Sequence, residues 1–209
     1  MLFIKSTNHI TLKLLGSLLI FCLLSACQSI PTDTNTRPVE PKALASYQKA
    51  LLAMRSGQTK RALKLFNAIN KKYPGFAGPQ LNIGLMQLKN NNLSKAEKSF
   101  KKAIQINRDN AIGYNLLGVV YRRAGKFMQA KEQYLLAISK SPHYANAHLN
   151  LGVLYDIYMS DLNRALHHYI QYQKHSSAAD SKVSKWILDL KRRTKSASIG
   201  ANTTKGSKG

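Results

Sequence analysis

The chain has 209 residues, 44% of them hydrophobic, which excludes wholesale disorder and leaves room for one ordinary domain behind a processed leader. No internal stretch reaches the ~18 apolar residues that a membrane-spanning helix needs. Against 32 Lys and Arg stand nine Asp and Glu, a formal net charge of +23; such an imbalance calls for an anionic neighbour, whether lipid surface, cell-wall polymer, acidic protein or nucleic acid.

Residues 1–26 read as an export leader. Lys5 and Lys13 precede an apolar run from Leu14 to Leu24, broken only by Gly16 and Ser17, and small residues follow. That run is too short to span a bilayer stably. Leu24-Ser25-Ala26-Cys27 resembles the bacterial lipobox. The resemblance implies that the Cys27 thiol is alkylated with diacylglycerol, that the leader is cut before it, and that the new N-terminus is acylated. Two other readings stay open, an ordinary cut after Ala26 and an uncleaved inner-membrane anchor. Cys22 lies within the apolar run and reads as a small hydrophobe. Three acyl chains would anchor the chain firmly. In such lipoproteins an Asp after the cysteine favours retention in the inner membrane. Gln28 therefore implies the outer membrane, with the protein on its periplasmic face. Residues 27–42 are polar and Pro-rich and read as the lipidated cysteine and a flexible tether.

From Ala43 the sequence repeats itself every 34 residues, giving blocks 43–76, 77–110, 111–144 and 145–180. The eighth place holds Ala50, Gly84, Gly118 and Gly152. Ala62, Ala96 and Ala130 follow 12 places on, and the fourth equivalent, Ala165, comes one residue late, which suggests an insertion around Met159–Asn163. Four further along stand Phe66, Phe100, Tyr134 and Tyr169. Small residues at two facing places allow close helix approach, and the aromatics fill the gaps between pairs. Gly57 and Gly125 suit helix C-termini, and Pro74 and Pro142 fall where a helix must stop. The pattern resembles the tetratricopeptide repeat. The resemblance implies an all-α, right-handed solenoid of about four helix pairs. Residues 181–193 supply a capping helix, with Val183, Trp186, Ile187 and Leu190 forming one apolar stripe. The small polar residues of 194–209 read as a disordered basic tail.

In this family the first helices of successive pairs line a concave groove. Carrying the groove places over gives Tyr47, Leu51 and Met54, then Leu81, Leu85, Leu88 and Lys89, then Asn115, Val119, Arg122 and Arg123, and finally Leu149, Val153 and Asp156. The groove would be apolar at one end with an arginine pair near its middle, suited to an extended peptide or amphipathic helix carrying some negative charge. The leucines serve equally as inter-repeat packing. Residues 42–110 hold 14 Lys and Arg against two acids. Lys60, Arg61, Lys64, Lys71, Lys72, Lys95, Lys98, Lys101 and Lys102 fall on second helices, as a solvated outer face or one that touches anionic lipid or peptidoglycan.

Nothing in the chain spells out catalysis. The nine acids are scattered, and no phosphate loop, nucleophile elbow or H-E-x-x-H motif occurs. His167 and His168 are adjacent and so point to different helix faces, while His143, His148 and His175 lack Cys, Asp or Glu at ligand spacing. The sequence therefore predicts no enzyme, no cofactor and no metal. It predicts a lipid-anchored periplasmic scaffold for protein partners in an envelope assembly, with a faint resemblance to tetratricopeptide proteins of TonB-type or type IV pilus systems. The alternative is a cell-wall-associated regulator that binds peptidoglycan or its hydrolases through the basic face. Nucleic acid is not an expected partner of an exported protein.

Overall fold

The computed structural model describes residues 39–205, with side chains to residue 196. The leader, Cys27, Gln28, most of the tether and residues 206–209 lie outside the described residues. Within them the chain is helical: α1 (Pro41–Arg55), α2 (Thr59–Lys72), α3 (Gly78–Lys89), α4 (Leu93–Ile106), α5 (Ala111–Arg123), α6 (Phe127–Lys140), α7 (Ala145–Val153), a π-helical turn (Leu154–Tyr158), α8 (Leu162–His175) and α9 (Ser181–Lys205). Helix α1 starts inside the stretch assigned to the tether, because Pro41 has the fixed φ that suits a first helical turn.

Consecutive helices pair as α1–α2, α3–α4, α5–α6 and α7–α8, and each second helix also packs on the next first helix. The first helices touch one another as well, α3 with α5 and α5 with α7, while no comparable contact joins the second helices. The first helices therefore lie on the inner side of the curve. Pairing depends on the small residues. Ala62, Ala96, Ala130 and Ala165 are fully buried, and so are Phe66, Phe100, Tyr134 and Tyr169. A continuous core runs from Leu88 and Phe100 through Leu117, Tyr134 and Leu151 to Leu190, and a smaller one around Phe66 serves the first repeat.

Each tight turn inside a pair uses one residue in the left-handed region: Gly57 at φ 72°, Asn91 at 58°, Gly125 at 73° and Ser160 at 53°. The last comes 35 residues after Gly125 rather than 34. The insertion thus falls before Ser160, earlier than the sequence suggested, and the π-helical turn at Leu154–Tyr158 absorbs it by winding one extra residue into the end of α7.

Helix α9 is anchored by Asp180, whose Oδ1 accepts from the backbone N–H groups of Lys182 (3.0 Å) and Val183 (3.1 Å) and whose Oδ2 accepts from the Tyr172 hydroxyl. These bonds hold its carboxyl below the usual range. Val183, Ile187 and Leu190 are buried against repeat four, and the Trp186 ring lies 5.3 Å from Tyr169. The helix continues to Lys205, past the predicted end at Arg193, so residues 194–205 are helical rather than disordered. No proline interrupts the stretch, and once a helix is nucleated each further residue adds a bond at little cost.

Candidate functional site

The predicted groove places divide into two groups. Leu51, Met54, Leu81, Val119, Leu149 and Val153 are half-buried, and Leu85 and Lys89 are exposed. They lie on first helices, on the inner side, and Leu85 keeps 38% of its surface open to solvent. Ile112, on the same side of α5, is 49% exposed. Leu85 and Ile112 are thus the exposed apolar side chains of this side, and the half-buried ones pack on the core and leave only part of their surface open. Tyr47 is half-buried, edge-on to Phe76 at 4.8 Å, and its hydroxyl accepts from the Asn82 amide. Burial raises its pKa, an effect that the Asn82 bond partly opposes.

Two of the predicted contacts are internal instead. Leu88 belongs to the core, and Asn115 is buried and accepts at 3.0 Å from Asn150 one repeat further on. Both serve inter-repeat packing, because their places on the helix turn toward the neighbouring pair. The arginine pair also separates. Arg123 reaches back to donate to the Leu88 carbonyl (3.0 Å) and to Asn91 Oδ1 (3.3 Å), which satisfies the C-terminal end of α3. Arg122 donates from Nε to the Tyr134 hydroxyl at 3.3 Å. Adjacent helical residues point about 100° apart, so the two cannot clamp one anion. Asp156 is held from two sides, accepting from Tyr169 at 3.3 Å and lying 3.8 Å from Arg193 of α9.

Sequence reasoning missed an exposed patch beside the π-helical turn. Phe127 and Tyr158 pack ring on ring at 4.5 Å, and Met128 and Ile157 are each 64% exposed. The late alanine at 165 was its only signal, since the extra residue pushes Ile157 and Tyr158 out of the repeat pattern. The basic-face residues Lys60, Arg61, Lys64, Lys95, Lys98, Lys101 and Lys102 are all exposed on α2 and α4. Lys101 is paired with Glu97 at 2.6 Å, and this contact holds the Glu97 carboxyl below its ordinary range.

The histidines that sequence spacing set aside meet in space. His143 and His175 approach at 3.3 Å and His148 and His168 at 3.1 Å, joining the α6–α7 loop, α7 and α8. Desolvation, reinforced by His148 and His167, pushes the His168 ring down to about 4.

Comparison with known proteins agrees with this architecture. Family models described as tetratricopeptide repeat match residues 47–111 and 99–132. A peroxisomal targeting signal receptor of Candida glabrata is 29% identical over 98 residues, which is 47% of this chain and 16% of the receptor. The chain thus spans less than a fifth of that relative. A structure from a functional characterization of Pseudomonas aeruginosa pilF superposes with a TM-score of 0.65 at 17% identity, covering 74% of this chain and 69% of that one. The MamA protein superposes with a TM-score of 0.57 at 16% identity, covering 79% and 95%. Family match, helix pairing and fold likeness agree: the chain has an all-α tetratricopeptide-repeat fold, with repeats matched between residues 47 and 132.

Proposed function

We propose that this protein is a non-catalytic adaptor, anchored through Cys27 at the periplasmic face of the outer membrane, whose inner strip holds a segment of an envelope-assembly protein of a pilus, secretion or TonB-type system. Tetratricopeptide solenoids are interaction scaffolds, and their curvature creates an extended surface for a partner. The observation that carries the reading is the partly open apolar row of Leu51, Leu81, Leu85, Val119, Leu149 and Val153 on the inner helices, in which Leu85 is the exposed member. A row of apolar side chains along the inner side suits contact with a partner's apolar face. The lipobox resemblance and Gln28 are what support the location.

The test is affinity capture of the tagged full-length protein from gently crosslinked cells, beside Cys27→Ala and Leu85→Asp versions. Recovery of a defined membrane assembly by the unaltered protein, lost in both variants, supports the adaptor. A second reading rests on the exposed lysines of α2 and α4, which would hold peptidoglycan or its hydrolases. It predicts recovery of wall fragments or hydrolases, lost on neutralising Lys98, Lys101 and Lys102 and weakened by salt.

A further inference from the structure

Five imidazoles form one contiguous group where the third repeat meets the fourth. Ring centres are 4.4 Å apart for His143 and His175, 6.1 Å for His148 and His175, 5.4 Å for His148 and His168, and 5.1 Å for His167 and His168. The inner pair is a hydrogen bond. His148 Nε2 lies 3.0 Å from the Pro142 carbonyl, which only accepts, so that nitrogen carries the proton. Its Nδ1 is then the acceptor, and His168 Nδ1 donates to it across 3.1 Å.

The outer pair has a different geometry. His143 Nδ1 and His175 Nε2 are 3.3 Å apart while the ring centres are only 4.4 Å apart. A linear bond of that length between two ring nitrogens would hold the centres about 5.5 Å apart. Here the two ring planes meet at 43°, so the contact is a bent hydrogen bond between the facing nitrogens. Two imidazoles bound cis to one ion at ~2.0–2.1 Å would place their nitrogens about 3–3.4 Å apart and their ring centres about 4.5–5.2 Å apart; the nitrogens already have that spacing at 3.3 Å, and the rings, 4.4 Å apart, would turn slightly outward to take up an ion. His143 is exposed, so solvent reaches this edge. We propose that His143 and His175 form a two-imidazole site for a divalent transition-metal ion, zinc or copper(II), which water completes.

Imidazole nitrogen suits these ions better than the hard cations, which favour oxygen. Among the described residues no group of three or more His, Cys, Asp or Glu is arranged to hold an ion, and the site proposed rests on these two ligands. His148 stays outside the shell because both of its nitrogens are engaged. A bound ion would tie the α6–α7 loop to the end of α8.

The test titrates zinc chloride and copper(II) sulfate separately into the full-length chain, with Cys22→Ser and Cys27→Ser removing the thiols. One ion per chain is expected. Binding should weaken about tenfold or more in His143→Ala and in His175→Ala, and remain in His167→Ala. Copper(II) electron paramagnetic resonance should show coupling to two imidazole nitrogens, reduced to one in each of the first two variants. Absence of saturable binding, or binding that survives both substitutions, overturns the site. Equal loss in His167→Ala also overturns it. Circular dichroism confirms that each variant is folded.

Discussion

A Cβ atom placed on Gly118 would sit 2.5 Å from Cε1 of the Tyr134 ring, closer than real atoms come. Helix α5 thus lies against the tyrosine of α6 with no space for a methyl group. Gly84 meets Phe100 and Gly152 meets Tyr169 in the same way, at 2.5 and 2.6 Å. The rings are wedged between packed helices and cannot swing aside. Gly118→Ala should therefore destabilise by about 1–3 kcal/mol, because overpacking outweighs the gain in helix propensity. Gly75→Ala, with nothing within 4 Å, serves as the control and should be near neutral. Urea denaturation of both variants checks this.

Asn115→Ala removes the buried acceptor that Asn150 uses across the repeat boundary. The expected loss is about 1–2 kcal/mol, read as a lower denaturation midpoint. Partner capture at temperatures where the variant is folded should be unchanged. A loss of capture without loss of stability would return Asn115 to the groove surface.

Leu190 is 1% exposed and Leu188, on the same helix, is 59% exposed. Leu190→Ala should lose about 2–5 kcal/mol, since a cavity opens between α9 and repeat four. Leu188→Ala should stay within about 0.5 kcal/mol. Equal effects of the two would show that α9 does not cap the solenoid through this stripe.

The His168 ring titrates at about 4 in the folded chain against an ordinary value of 6.5. Its neighbours are His148 from α7, His167 from its own helix and Tyr155 from the π-helical turn, with Arg164 over the Tyr155 ring. The depressed value means that the unfolded chain binds more protons between these limits, so stability rises with pH there. The contribution is fully present above 6.5 and is lost as pH falls toward 4. Denaturant midpoints across that range should fall steadily, and His168→Gln, which keeps a donor toward His148, should flatten the profile. An unchanged slope would place the titrating group elsewhere.

The repeat pattern was legible because its physics is local. The spacing of Gly84, Gly118 and Gly152, and of the aromatics that meet them, records a contact made once per helix pair, so periodicity alone exposed the fold. The groove was only partly legible. Leu85 and Asn115 occupy similar stretches of their helices, yet one is exposed and the other buried, because a helix face is divided between solvent and the neighbouring pair by the angle of packing. The π-helical turn showed in the sequence as a single late alanine, without indicating where the extra residue would go.

Sequence by itself determined the helix pairs, their close-approach residues, the capping stripe of Val183, Ile187 and Leu190, and the concentration of lysines on α2 and α4. Each depends on which residue types recur at helical spacing. Tertiary structure decided that Arg122 and Arg123 part company, that Leu88 and Asn115 turn inward, and that His143 meets His175 across 32 positions of chain. Those relations depend on how one helix pair is set against the next, and the distances that result carry no imprint in sequence spacing.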